Sequence, residues 1–89
     1  MLHYKIIVRG RVQGVFYRAT TKKVADQLGI KGFVRNQPDD SVYIEAEAEE
    51  ELLQQFIDWC KKGPEKAVVT SVTATPAEPV NHGVFQIRK

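Results

Sequence analysis

Ile30-Lys31-Gly32-Phe33-Val34-Arg35-Asn36-Gln37-Pro38-Asp39-Asp40-Ser41-Val42-Tyr43-Ile44-Glu45-Ala46-Glu47-Ala48 reads as two strands and the turn that joins them. Val42, Ile44, Ala46 and Ala48 alternate with Tyr43, Glu45, Glu47 and Glu49, the period of two that gives a strand one apolar and one polar face. Gln37-Pro38-Asp39-Asp40-Ser41 is a turn, because proline presets φ and aspartate tolerates turn conformations. Ile30 to Asn36 is then the antiparallel partner of Val42 to Ala48. A hairpin here divides the chain into flanks, residues 1–29 and 49–89, and each flank reads as a strand together with a helix.

In the first flank, Tyr4, Ile6 and Val8 alternate with His3, Lys5, Ile7 and Arg9, which predicts a strand over His3 to Arg9. Two glycines between Gly10 and Gly14 break the pattern. Thr21, Val24, Ala25 and Leu28 then repeat at the spacing of one helix face, and Gly29 suits the C-terminal cap. In the second flank, Glu49, Glu50 and Glu51 open a helix where carboxylates complement the dipole. Leu52, Leu53, Phe56, Ile57 and Cys60 form its apolar stripe, and Gly63-Pro64 ends it. Ala67 to Ala74 is rich in Val and Thr and predicts a fourth strand. A loop with Pro76, Pro79 and Gly83 follows, and Phe85 and Ile87 mark a short last strand. The order is β-α-β-β-α-β plus a short extra C-terminal strand. It predicts an α+β, ferredoxin-like sandwich: an antiparallel sheet with two helices on one face.

Eighty-nine residues allow one domain, taken as residues 1–89. Hydrophobic residues make up 43% and charged residues 27%, which excludes disordered, collagenous and coiled-coil classes. No apolar run approaches the roughly 18 residues of a membrane span. Met1-Leu2-His3-Tyr4-Lys5 lacks the charged-then-apolar pattern of a secretory signal. Cys60 is the single cysteine, so no internal disulfide forms and a reducing cytoplasm is expected. The net charge is +2, but it is lopsided. Residues 1–35 carry eight basic groups against one acid, and residues 36–89 carry five against ten. Such an asymmetry points either to an anion bound by the first half or to charges that interleave and cancel in the folded protein, and charge alone favours the second.

The anion-binding candidate is Gly10-Arg11-Val12-Gln13-Gly14-Val15-Phe16-Tyr17-Arg18, between the first strand and the first helix. Gly14, with no Cβ, allows φ > 0 and a close backbone approach. The helix start adds unpaired N–H donors and the positive end of the dipole. Such a nest suits phosphate, and Arg18 adds a planar fork matched to its oxygens. The loop is neither a Walker A motif, since no Gly-Lys-Ser/Thr follows, nor a dinucleotide fingerprint, since the third glycine is missing. On these residues alone it is either an anion nest or an ordinary glycine turn before a helix.

Val12-Gln13-Gly14-Val15-Phe16-Tyr17-Arg18, preceded by Gly10, closely resembles the first signature of the acylphosphatases. Gly32-Phe33-Val34-Arg35-Asn36 resembles the second, and Gly63-Pro64, Val69, Val72, Phe85 and Ile87 match the pattern of the family's later half. The resemblance implies a small ferredoxin-like hydrolase that splits a carboxyl–phosphate anhydride into carboxylate and phosphate, with no metal and no other cofactor. It implies that Arg18 binds the phosphoryl group and that Asn36 orients the attacking water. It also implies that the backbone N–H groups of Gln13, Gly14, Val15, Phe16, Tyr17 and Arg18 form the phosphate cradle. The implied partner is a small acyl phosphate, with neither nucleic acid nor membrane, and the expected state is a monomer. Carbamoyl phosphate is a related substrate, since acylphosphatase-like domains occur within hydrogenase-maturation carbamoyltransferases. Two positions depart from the pattern: Asp40 and Ala48 stand where the family usually has glycine. Asp40 lies in the turn, where aspartate enters the left-handed region more easily than most residues.

The remaining residues read as structural. Cys60 belongs to the helix stripe and Trp59 to its edge. His3 and His82 stand apart from each other and from other ligands in sequence, which argues against a zinc site, and His82 suits a surface turn before Gly83. Glu45, Glu47 and Glu49 to Glu51 read as a solvated strand face and helix start. The element order also describes the RNA-recognition motif, and Phe33 and Tyr43 would be its stacking residues. Val34-Arg35-Asn36 lacks the aromatic that signature requires, and Glu45 and Glu47 on Tyr43's face would repel phosphates.

Overall fold

A computed structural model describes all residues from Met1 to Lys89. The elements are β1 (Leu2–Arg11), α1 (Tyr17–Leu28), β2 (Lys31–Asn36), β3 (Val42–Ala48), α2 (Glu50–Lys62), β4 (Val68–Ala77) and β5 (Gln86–Arg88). They form a five-stranded sheet in the order β4-β1-β3-β2-β5. β1 pairs antiparallel with β3 and β4, and β2 antiparallel with β3. This is the ferredoxin-like arrangement. The short strand β5 differs, because it pairs parallel to β2 through Phe33, Val34 and Arg35. The sheet is therefore mixed: the antiparallel expectation holds for the first four strands and fails at the fifth. A three-residue strand carries no periodicity from which its direction could be read.

The register explains why alternation selects one buried face. Ile6 faces Ile44 and Ala74, and Val8 faces Val42 and Val72. These side chains point toward the helices, with Ile6, Val8, Val34, Val42, Ile44 and Ala46 all buried. Burial of each such aliphatic side chain contributes about 1.5–3 kcal/mol against exposure. α1 packs over β2 and β5, and α2 over β4, β1 and β3. Ala25 from α1 and Leu53, Phe56 and Cys60 from α2 complete the core. Cys60 is fully buried as expected, and burial pushes its thiol pKa up to about 12.

Two boundaries lie beyond the expected ones. β4 continues through Pro76 to Ala77, because β4 is an edge strand and a proline there leaves no ladder bond broken. β1 continues to Arg11 across a bulge between Arg9 and Gly10. Gly10 has φ 126°, and a Cβ there would overlap the Val68 carbonyl, so only glycine lets β1 turn at this point. The bulge swings the chain off the sheet into the loop that precedes α1. In the β2–β3 turn, Asp40 adopts φ 70° as its sequence position suggested, and its N–H donates to the Gln37 carbonyl at 3.2 Å. Hydrogen bonds from Ser41 and Arg9 lower the Asp39 carboxyl to about 2.

Tyr17 and Pro64 act together at the end of α2. In a continuing helix the Cys60 carbonyl would accept from the N–H four residues on, but that residue is Pro64 and has none. The buried Tyr17 hydroxyl donates to this carbonyl at 2.8 Å and joins the start of α1 to the end of α2. Burial, and the adjoining Cys60 thiol, raise the phenol pKa far above its ordinary value. Tyr17→Phe is expected to leave a buried carbonyl unpaired and to cost about 1–2 kcal/mol, read as a fall in thermal midpoint of several degrees. An unchanged midpoint would remove Tyr17 from this role.

Candidate active site

The bulge at Gly10 delivers the chain to a loop whose side chains alternate between anchoring and exposure. Val12 is buried and Val15 packs against the core, while Gly14 and Phe16 face outward. Gln13 anchors the loop to the hairpin turn: its Nε2 donates to the carbonyls of Gln37 and Ser41, both at 2.8 Å. This side-chain role was absent from the sequence reading, because nothing local to Gln13 marks residues 37 and 41 as its partners. Gly14 has φ 72° with open space where a Cβ would stand. Phe16 has φ 62° and ψ 22°, a left-handed conformation that costs a non-glycine residue about 1–2 kcal/mol. Strain of this kind persists where the surrounding structure over-determines it, and functional sites are the common place.

The result is a set of uncommitted donors. The first loop–helix bond runs from the Thr20 N–H to the Phe16 carbonyl at 3.0 Å, and no backbone bond outside the ladders uses an N–H from Gln13 to Ala19. Phe16, at the N-cap, makes no side-chain cap, and the first turn of α1 holds no acid. α2 differs: Glu50 and Glu51 stand in its first turn and Lys61 and Lys62 in its last. The dipole of α2 is therefore balanced by its own residues, whereas the positive end of α1 is left for an external anion.

A cavity of about 290 Å³ opens at this loop, lined by Val12, Gly14, Phe16, Tyr17, Arg18, Ala19, Asn36 and Ile87. Arg18 comes from the first turn of α1, Asn36 from the end of β2 and Ile87 from β5. The structure thus brings Arg18 and Asn36, eighteen positions apart, to one pocket. Arg18 Nη1 donates to the Arg88 carbonyl at 3.2 Å, which fixes the guanidinium and leaves its other N–H groups to the pocket. Asn36 Oδ1 is buried and has no hydrogen-bond partner. An acceptor left this way costs about 1–3 kcal/mol, a cost of the kind that persists at functional sites. Of the expected cradle, Gly14, Phe16, Tyr17 and Arg18 line the cavity, while Gln13 and Val15 do not. The Tyr17 side chain is committed to Cys60, so only its backbone faces the site.

The open face of the sheet differs from its expected solvated state. Phe33 is 5% exposed, covered by His82 at a ring distance of 5.6 Å and by the Arg88 guanidinium at 4.0 Å. It offers no stacking platform for a base. Glu47 is 1% exposed, because the segment between β4 and β5 folds over it. His3 and His82 do not stand apart: both meet Glu45 on this face. These residues were read as solvated or isolated because strand alternation records which side of a sheet a residue takes, not what later chain covers that side.

The fold and the pocket define a class: a ferredoxin-like α+β chain with a loop of uncommitted N–H donors between its first strand and first helix. The comparisons with known proteins are specific within that class. The acylphosphatase family model matches residues 4–87. An acylphosphatase from Ligilactobacillus salivarius is 51% identical over 84 residues, covering 91% of this chain and 93% of the relative. The crystal structure of an acylphosphatase from Bacillus subtilis superposes with a TM-score of 0.97 at 39% identity, over 100% of both chains. A full-length HypF in its phosphate- and nucleotide-bound form matches 99% of this chain with 12% of its own, at 27% identity and a TM-score of 0.89. The chain belongs to the acylphosphatase family, whose members are hydrolases of acid anhydrides.

Proposed function

We propose that this chain hydrolyses the carboxyl–phosphate bond of acyl phosphates to a carboxylate and inorganic phosphate, with Arg18 and the loop backbone holding the phosphoryl group and Asn36 aiming the water. The observation that carries this reading is that Arg18 and Asn36, from different elements, line one pocket at a loop whose backbone N–H groups are uncommitted. The chemistry asks for little else. A carboxylate is a good leaving group, so the reaction needs no strong general acid. The pocket lining contains no carboxylate, imidazole or thiol, and the Tyr17 hydroxyl is committed elsewhere. What remains is to neutralise phosphoryl charge and to place water in line with the leaving oxygen. Arg18 and the N–H groups from Gln13 to Arg18 perform the first task. Asn36 performs the second, its carbonyl accepting from the water and its amide free to donate to the phosphoryl group. An amide is not a base, so as the water oxygen bonds to phosphorus its proton passes to a phosphoryl oxygen and the P–O bond to the acyl group breaks.

No step requires a metal, so turnover of benzoyl phosphate is expected to be the same with and without a chelator. Loss of activity on chelation would overturn the metal-free reaction. Carbamoyl phosphate carries the same phosphoryl group, and the likeness to HypF favours running it beside benzoyl phosphate in that assay. The single buried Cys60 supports a reducing compartment, and we assign the reaction to the cytoplasm, carried out by a monomer.

A further inference from the structure

Away from the pocket, the other concentration of chemically capable side chains lies on the sheet face that the helices leave open. His3 at the start of β1, Glu45 in β3 and His82 in the segment between β4 and β5 converge there. His3 Nε2 lies 3.0 Å from Glu45 Oε1, and His82 Nε2 lies 2.9 Å from the same oxygen. All three ligand atoms are within 4.8 Å of one another. This group and the loop that precedes α1 sit at opposite ends of β1, about 25 Å apart along a strand that rises roughly 3.3 Å per residue.

Each ligand is held from behind. His3 Nδ1 lies 2.7 Å from the Glu78 carbonyl, which makes Nδ1 the donor and turns Nε2 toward Glu45. Glu45 Oε2 accepts the Tyr43 hydroxyl at 2.7 Å, leaving Oε1 to the imidazoles. Burial pushes the Glu45 carboxyl up, but the bonds from Tyr43 and His82 and the nearby His3 outweigh it, and the group is held below its ordinary value. His82 is fixed through its backbone. The N–H groups of Val80 and Asn81 donate to Glu47 Oε2 at 2.6 and 3.2 Å, and that of His82 donates to Glu47 Oε1. Asn81 takes φ 59° to close this nest.

The geometry contains a charge problem that a cation solves. With Nδ1–H committed to Glu78, His3 Nε2 and Glu45 Oε1 at 3.0 Å take a positive charge between them, which a proton on Nε2 or a bound metal ion supplies. Two imidazoles and one carboxylate form a donor set that zinc accepts, whereas calcium and magnesium take oxygen ligands. A tetrahedral ion about 2.0–2.1 Å from each donor needs donors about 3.3–3.4 Å apart, so the two imidazole–carboxylate spacings would open by a few tenths of an ångström while the two imidazole nitrogens, within 4.8 Å of each other, draw to that distance. Glu45 and His82 side chains keep 17% and 15% exposure, which leaves a fourth position open to water.

We propose that His3 Nε2, Glu45 Oε1 and His82 Nε2 bind one divalent transition-metal ion of the zinc class, with water as the fourth ligand. The site is structural. It ties the first strand and the central strand to the segment that leads into β5, and β5 supplies Ile87 and the Arg88 carbonyl to the pocket. His3 and Glu45 have the hydrogen-bonded outer shell that metal sites require, and His82 is held through its backbone N–H.

The test uses the full chain without an affinity tag, stripped with a chelator and titrated with Zn²⁺. One ion per chain is expected, with a rise in thermal midpoint of about 10 °C at a hundredfold excess over Kd. Co²⁺ in place of Zn²⁺ is expected to give the visible absorption of a tetrahedral nitrogen–oxygen site. His82→Ala changes a side chain that makes one side-chain hydrogen bond, to Glu45, and is expected to fold normally, to lose the cobalt band and to bind Zn²⁺ at least about 100-fold more weakly. Glu45→Gln is expected to weaken binding in the same direction. Absence of one-to-one binding would overturn the proposal, as would undiminished binding by His82→Ala. Benzoyl phosphate turnover is expected to be equal with and without zinc, so failure of the activity assay bears on the pocket alone.

Discussion

Asn36→Ala is expected to lower kcat by about 10² to 10³ while leaving KM for an acyl phosphate within a few-fold of its original value. The magnitude is that of losing one preorganised polar group at a reacting centre. The split between kcat and KM follows from what Asn36 touches. Its carboxamide belongs to the pocket lining and its Oδ1 makes no hydrogen bond within the protein, while the bulk of phosphoryl binding falls to Arg18 and the loop. Removing the carboxamide leaves the anion bound and the nucleophile unaimed. Asn36 lies at the end of β2 opposite Val42, and alanine preserves that backbone pairing. Steady-state kinetics on benzoyl phosphate measure the effect. Near-normal turnover by this variant would sink the assignment of Asn36.

Arg18→Ala is expected to harm binding and turnover together, with kcat/KM falling by about 10³ or more. The guanidinium is the one full positive charge among the residues lining the cavity, and its fork matches two phosphoryl oxygens at once. Arg18→Lys is expected to fail as well, because an ammonium keeps the charge and loses the two-point contact. The fold should be nearly indifferent: Arg18's one hydrogen bond within the protein is the exposed contact to the Arg88 carbonyl, worth about 0.5–1.5 kcal/mol. Unfolding curves of both variants therefore separate a lost site from a lost structure. Inhibition by inorganic phosphate should weaken in parallel. A lysine variant with parental kcat/KM would show that the site needs only charge.

The sequence was most informative where function depends on neighbouring residues. Alternation over Val42 to Ala48 set the register of β3, and the stripe from Leu52 to Cys60 set the buried face of α2. The phosphate loop was visible because glycine, a helix start and Arg18 fall within nine residues. Asn36 is different: no pattern in the residues marks it, and its role entered through resemblance alone. The features that escaped notice all depend on chain that returns late. The direction of β5, the burial of Glu47 and the meeting of His3 with His82 arise from the segment between β4 and β5 folding across the sheet. Seventy-eight residues separate His3 from Asn81, the residue whose left-handed turn presents His82 to it, and periodicity does not reach that far.

The position of β4 at one side of the sheet has a consequence for how the molecule meets copies of itself. Val68 to Ala77 is ten residues long, holds no charged side chain and is bonded along one side only, to β1. The other side presents a row of free N–H and C=O groups, interrupted at Pro76. Protein chains commonly protect such rims with lysine, and β4 has none. Its valine and threonine content is that of a segment prone to cross-chain stacking. Crowding and partial loosening of the chain therefore threaten solubility through β4 before they disturb the phosphate loop, which lies where the opposite sheet edge meets α1.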